Sequence, residues 1–228
     1  MTRQPIFDFP QEALPFADLR ITVPNRDAYA QIRRTADWPQ PVMCLLGPPK
    51  CGLTSAGLAW ALENGGTVYH SKDISKLSAK QTAKLSVDAI VIDAADQTRK
   101  AEPLITVINR TIAEGGRLLL TANVPPSEWQ FSLEDLTSRL KSIPVAEILP
   151  PDEDTLMRRL VVSARKYYLD IPPDVLNFLT MRLLLSYEMI EDCLRLLSEK
   201  VSETERAPSI PLAREVVIML GLAEDEAR

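Results

Sequence analysis

The sequence predicts a three-layer α/β domain with a five-stranded parallel sheet, followed by a small all-helical domain. Three observations predict it. Short apolar runs alternate with helical patterns between residues 41 and 150, the order that builds a parallel sheet covered by helices on both faces. One run, "AIVID", is apolar without a break until its final residue, as a centre strand buried on both faces must be. Beyond "LPPDEDT" no strand pattern recurs, and the apolar spacing is helical to the end. The expected organisation is a flexible N-terminal peptide over 1–12, an α/β domain over 13–150 and a helical domain over 151–228.

Each element has its own signal. "NRDAYAQIRRTADW" reads as a helix stopped before Pro39. "PVMCLLG" is a short buried strand ended by glycine. "TSAGLAWALEN" is a helix that runs into Gly65-Gly66, a usual stop. "TVYH" is a second strand and "SAKQTAKL" a short polar helix. "DAIVID" is the third strand. In "AEPLITVINRTIAEGG", Leu104, Ile105, Ile108 and Ile112 recur at helical spacing before a Gly-Gly end. "RLLLTA" is the fourth strand, "LEDLTSRLKS" a short helix and "VAEIL" the fifth strand. The Pro150-Pro151 pair then breaks the chain, and Asp152, Glu153 and Asp154 form an acidic helix start that suits the helix dipole. Four helices follow: "DTLMRRLVVSARKYYL", "PPDVLNFLTMRLL", "YEMIEDCLRLLSEKVSE" and "IPLAREVVIML", punctuated by Pro172-Pro173 and Pro208.

Composition narrows the function. Hydrophobic residues make up 46% of the 228, enough for a core and unlike a disordered chain. A formal net charge of −5 argues against a protein built to grip phosphate backbones. The three cysteines, Cys44, Cys51 and Cys193, are too few and scattered for a disulfide framework and fit a reducing compartment. The single histidine, His70, argues against a His-based metal site and reads as an ordinary residue at a strand end. With no signal-peptide pattern and no bilayer-spanning run, the expected location is cytoplasmic.

The chemistry concentrates in "GPPKCGLT", which sits between a strand and a helix as a phosphate-binding loop does. Such a loop cradles phosphates on backbone N–H groups and the helix N-terminus. Its lysine neutralises the β and γ phosphates, and its hydroxyl residue ligates Mg²⁺. Gly47, Pro48, Gly52 and Thr54 keep the loop and the hydroxyl, but Leu53 stands where the lysine belongs. Lys50 lies in the loop at a different position. Asp93, at the end of "AIVID", is where a Mg²⁺-binding carboxylate would sit. The acid expected next to it is replaced by Ala94 and Ala95 before Asp96. Asn123, after "RLLLTA", is placed to sense a γ-phosphate or to begin a polar turn. Arg139, near the end of a helix, is placed to reach a neighbouring subunit's nucleotide, or to favour the helix C-terminus.

Taken together, "FADLRITVPNRDAYAQIRRTADWPQPVMCLLGPP", "AIVIDAAD", "GGRLLLTANVPPSEWQFSLEDLTSRLKS" and "LPPDEDTLMRRLVVSARKYYLDIPPDVLNFLTMRL" resemble the DnaA-related AAA+ proteins, and among them the Hda type that shuts down the bacterial replication initiator DnaA. The resemblance implies a P-loop base domain with a helical lid. It also implies regulation of replication initiation, through DnaA or through the polymerase sliding clamp. In such proteins a short N-terminal peptide docks on the clamp, and "RQPIFDF" looks like a variant of it, with Gln4 for a polar subsite and Ile6, Phe7 and Phe9 as apolar anchors. Pro5 departs from that pattern, and an N-terminal strand against the domain's own surface is the alternative. Arg139 matches the family's trans-acting arginine finger. The family's lid helix carries a sensor arginine near its start, where this chain has Tyr187 or Glu188. No separate DNA-binding domain is expected after the lid. An oligomer is compatible with the pattern.

Three phosphate-contacting positions have thus lost their charge. The expectation is a partner-binding regulator that is not itself an enzyme and holds no cofactor. ADP or ATP is the nucleotide the frame would take. Two other readings stand beside it: a nucleotide-binding switch or weak ATPase using Lys50, Thr54 and Asp93, and an adaptor outside replication on the same fold.

Overall fold

A computed structural model describes residues 13–222. These divide into two compact units. One holds residues 13–20, 31–45 and 52–145; the other holds 21–30, 46–51 and 146–222. Two segments that the sequence places within the α/β domain, 21–30 and the loop 46–51, therefore group with the helical unit.

The α/β unit is organised by a five-stranded sheet in the order β2-β3-β4-β1-β5. The strands are β1 (Val42–Leu46), β2 (Thr67–His70), β3 (Ala89–Asp93), β4 (Arg117–Ala122) and β5 (Val145–Glu147). β3 runs parallel to both β2 and β4, with His70 opposite Asp93 and Ile92 opposite Leu120. Ile90, Ile92, Leu118 and Leu120 are completely buried. Each contributes about 1.5–3 kcal/mol of transfer free energy, which offsets the entropy of ordering the strands. The unbroken apolar run thus has the two-sided burial it predicts.

The helices before residue 145 follow in chain order: α1 (Val23–Arg33), of which residues 23–30 group with the helical unit, then α2 (Leu53–Glu63), α3 (Ser71–Ile74), α4 (Ala79–Thr82), α5 (Ala101–Glu114) and α6 (Glu134–Ser142). α1 ends at Arg33, short of the expected Trp38. The hydroxyl of Thr35 donates to Ile32 O and the indole N–H of Trp38 to Gln31 O. These side chains take the carbonyls that a longer helix would use. Trp38 stacks instead on Trp60 of α2, ring centroids 5.4 Å apart. α4 is shorter than "SAKQTAKL" and is started by a capping box between Ser78 and Gln81. α3 has no counterpart in the sequence reading; His70 Nδ1 accepts from Lys72 N at 3.1 Å and starts it. α2 lies close against the sheet because of Gly57, where a Cβ would come within 3.1 Å of Val91 Cγ1 and 3.3 Å of Thr121 Cγ2.

The helical unit contains α7 (Glu153–Ala164), α8 (Pro173–Thr180), α9 (Tyr187–Thr204) and α10 (Ile210–Met219). Its core joins Leu156 and Leu160 of α7, Val175 and Leu179 of α8, Ile190, Leu194 and Leu197 of α9, and Val216 of α10. α7 starts on the side-chain cap of Asp152, which accepts from Thr155 N at 2.8 Å; these contacts hold its carboxyl below the usual carboxylate range. α7 is shorter than its sequence pattern: it ends at Ala164, and a 3-10 turn carries the chain to Tyr168 at φ 55°.

Candidate functional site

The α/β unit brings two of the candidates, Thr54 and Asp93, together with Thr121 beside the C-terminal ends of its strands, where ligands of open α/β sheets bind. Asp93 closes β3 and is 8% exposed. Thr121, from the adjacent β4, donates to Asp93 Oδ1 at 2.7 Å. Its hydroxyl oxygen accepts from Ala94 N at 3.0 Å, which helps to hold Ala94 at φ 52°. Thr54, in the first turn of α2, contacts both carboxylate oxygens, at 3.1 and 3.2 Å. A hydroxyl and a carboxylate at this position form the pair that a Mg²⁺ ion would use. Asp96 stands beyond Ala94; its Oδ2 accepts from Asn123 N at 3.0 Å, and its Oδ1 is buried without a hydrogen-bond partner. Asn123 itself is exposed. Leu53 is the first residue of α2 and half-buried, and its side chain carries no charge.

Gly47, Pro48, Lys50 and Cys51 belong to the helical unit. Cys51 N donates to Pro48 O at 3.3 Å, closing the turn. Lys50 sits at φ 65° and Gly52 at φ 108°. Glycine tolerates the left-handed region, whereas a residue with a Cβ is strained there. Arg159 of α7 donates from Nη2 to Lys50 O at 3.3 Å. The same guanidinium lies 3.6 Å from Glu191 Oε1, and its Nε is buried without a hydrogen-bond partner. Glu191, in α9, accepts from Ser163 and from Tyr167, both at 3.1 Å, and faces Lys166 at 3.6 Å. Tyr29 and Tyr187 are buried near Cys51 and Arg159. Burial, and then the neighbouring Cys51, pushes both phenols up to about 12; Arg159 opposes this. Tyr187 donates to Leu149 O at 3.4 Å.

The remaining candidates stand apart. Arg139 pairs with Asp135 one turn earlier in α6, at 3.3 Å, and both side chains are largely solvated. Of the two positions aligned with the sensor arginine, Tyr187 is buried and Glu188 exposed. Gln4, Ile6, Phe7 and Phe9 lie outside the described residues. Thr121, Arg159, Glu191, Ser163, Tyr167 and Tyr29 at these groupings went unread in the sequence. Arg159 had a signal: Thr155, Arg159 and Ser163 recur every four residues along α7, and both outer members are buried. Among the described residues no cluster of three or more His, Cys, Asp or Glu side chains is arranged to hold a metal ion, and no helix is long and apolar enough to cross a membrane.

No protein-family model matches the chain. Solved structures do. Domain III of the replication initiation protein DnaA from Thermotoga maritima superposes with a TM-score of 0.65 at 19% identity, covering 90% of this chain and 95% of that one. AMPPCP-bound DnaA from Aquifex aeolicus matches at 0.62 and 17% identity, over 84% of this chain and 69% of its own. The RuvB Holliday junction branch migration motor of Thermotoga maritima matches at 0.59 and 16% identity, over 88% and 68%. The fold is the one found in DnaA domain III and in RuvB, with the five-stranded parallel sheet as expected.

Proposed function

We propose that this chain is an Hda-like regulator of bacterial DNA replication initiation, which acts by binding DnaA, the polymerase sliding clamp or both, and does not hydrolyse ATP itself. The observation that carries the reading is the match to domain III of DnaA over nearly the whole of both chains. The chemistry of the donor set supports the second half of it. Thr54 and Asp93 fit the metal side of a nucleotide site. The phosphate side does not fit: Leu53 supplies no charge, and Tyr187 and Glu188 stand where the resemblance calls for an arginine. A triphosphate held without those cations would keep its charge uncompensated.

Binding of the full chain to purified DnaA and purified clamp, with and without nucleotide, tests the proposal; no interaction with either partner would falsify it. Removing residues 1–10 separates the clamp route, which alone needs Gln4, Ile6, Phe7 and Phe9. The retained Thr54–Asp93 pair favours one second reading, an ADP- or ATP-binding switch. Calorimetric titration that finds micromolar ADP affinity would favour the switch over the nucleotide-free regulator.

A further inference from the structure

We propose that the helical unit closes its own Gly-rich loop with Arg159, so that the loop holds its shape without a bound nucleotide. A loop of this kind has backbone N–H groups that converge on an anion, and in a working site the anion orders them. Here the order has another source. Lys50 occupies a left-handed conformation that a lysine adopts only when its surroundings over-determine it. Beside the turn bond from Cys51 N to Pro48 O, a contact that does so is the hydrogen bond from Arg159 Nη2 to the carbonyl of that same residue, 109 positions away in sequence. The donor is a cation, and the bond is long, 3.3 Å, and exposed to solvent.

Arg159 is itself held. Glu191 faces its guanidinium, and the Glu191 side chain is only 13% exposed, fixed by the hydroxyls of Ser163 and Tyr167. Carboxylate on one side and loop carbonyl on the other direct the guanidinium as a strut between Glu191 and the loop, with Glu191 shared by Lys166 and Arg159 Nε making no hydrogen bond. Tyr29 and Tyr187 add two buried rings beside Cys51 and Arg159. Tyr187 is one of the two positions where the resemblance expects a phosphate-sensing arginine. Arg159 is thus a positioning residue for the loop, built entirely from the helical unit's own segments.

Hydrogen–deuterium exchange on the full chain tests this at the amides of Gly47, Lys50 and Cys51. The wild-type loop should be protected, and equally so with and without saturating Mg-ADP. Arg159→Gln should speed loop exchange about tenfold or more, the loss of one charge-assisted hydrogen bond, while α10 exchanges as before. Arg159→Lys should restore part of the protection. Nucleotide-dependent protection of the wild-type loop, or an Arg159→Gln loop as slow as wild type, overturns the proposal. If Arg159→Gln does not fold, Glu191→Gln serves: a smaller acceleration in the loop is expected, and an unchanged loop rejects the strut.

Discussion

The hydroxyl of Thr54 donates into the carboxylate of Asp93, 3.1 Å from one oxygen and 3.2 Å from the other, while Thr121 holds the same carboxylate at 2.7 Å from the far side. The two threonines differ in what they leave behind when removed. Thr121 is buried and also satisfies Ala94 N, so Thr121→Val orphans a backbone donor and strips a bond from a nearly buried carboxylate. A loss of about 2–3 kcal/mol is expected. Thr54 is exposed, and water can replace it, so Thr54→Val should cost under about 1 kcal/mol. Urea unfolding of both variants checks the order; equal costs would refute it.

Lys50 offers a test in the opposite direction. Its left-handed backbone costs a residue with a Cβ roughly 1–2 kcal/mol, while glycine gives back about 0.5–1 kcal/mol in unfolded-chain entropy. Lys50→Gly should therefore stabilise the chain by up to about 1 kcal/mol, and Lys50→Val should destabilise it. Thermal unfolding followed by circular dichroism reads both, and a destabilised glycine variant would show that the lysine side chain itself supports the loop.

Three phenols set an alkaline limit. Tyr29, Tyr167 and Tyr187 are each pushed up to about 12, mainly by burial, with the carboxylate of Glu191 adding to the effect at Tyr167. In the unfolded chain they titrate near 10. Below that pH both states keep their protons and this contribution to stability is complete. Between about 10 and about 12 the unfolded state loses protons first, so stability falls as pH rises through the window. Denaturation midpoints should hold up to about pH 9 and drop by about pH 11, and phenolate absorbance of the native protein should lag behind that of the unfolded one.

Arg139 separates fold from function. Its pair with Asp135 is solvent-exposed on both sides, so Arg139→Ala should change stability by less than about 0.5 kcal/mol. If the chain acts on DnaA through this arginine, the same variant abolishes its stimulation of DnaA ATP hydrolysis while still binding DnaA. A fully active Arg139→Ala variant would assign the regulation to another surface.

The legible parts of the molecule were those encoded locally. "AIVID" announces a covered strand because burial on both faces leaves no polar alternation, and Asp152 announces α7 because an N-cap needs only its own first turn. The polar groupings are different. Thr121 meets Asp93 across 28 residues, and Arg159 meets Lys50 across 109. Nothing in the spacing of either pair records the partner, since strand order and helix packing supply the proximity. The grouping of segments 21–30 and 46–51 with the helical unit is of the same kind. Composition does not change at their borders; only contacts do. The end of α1 was missed for a local reason, the competing hydrogen bonds of Thr35 and Trp38.

The stacked pair Trp38 and Trp60 has an optical consequence. With Trp129 they are all the tryptophans the chain has, and all three fall in the α/β unit. The helical unit carries Tyr29, Tyr167, Tyr168 and Tyr187 instead. Excitation beyond the tyrosine band therefore illuminates one unit alone, and tyrosine difference absorbance reports mainly on the other. A partner protein without tryptophan or tyrosine that docks on a single unit should change one signal and spare the other, so the unit that receives it can be identified in a cuvette without a label.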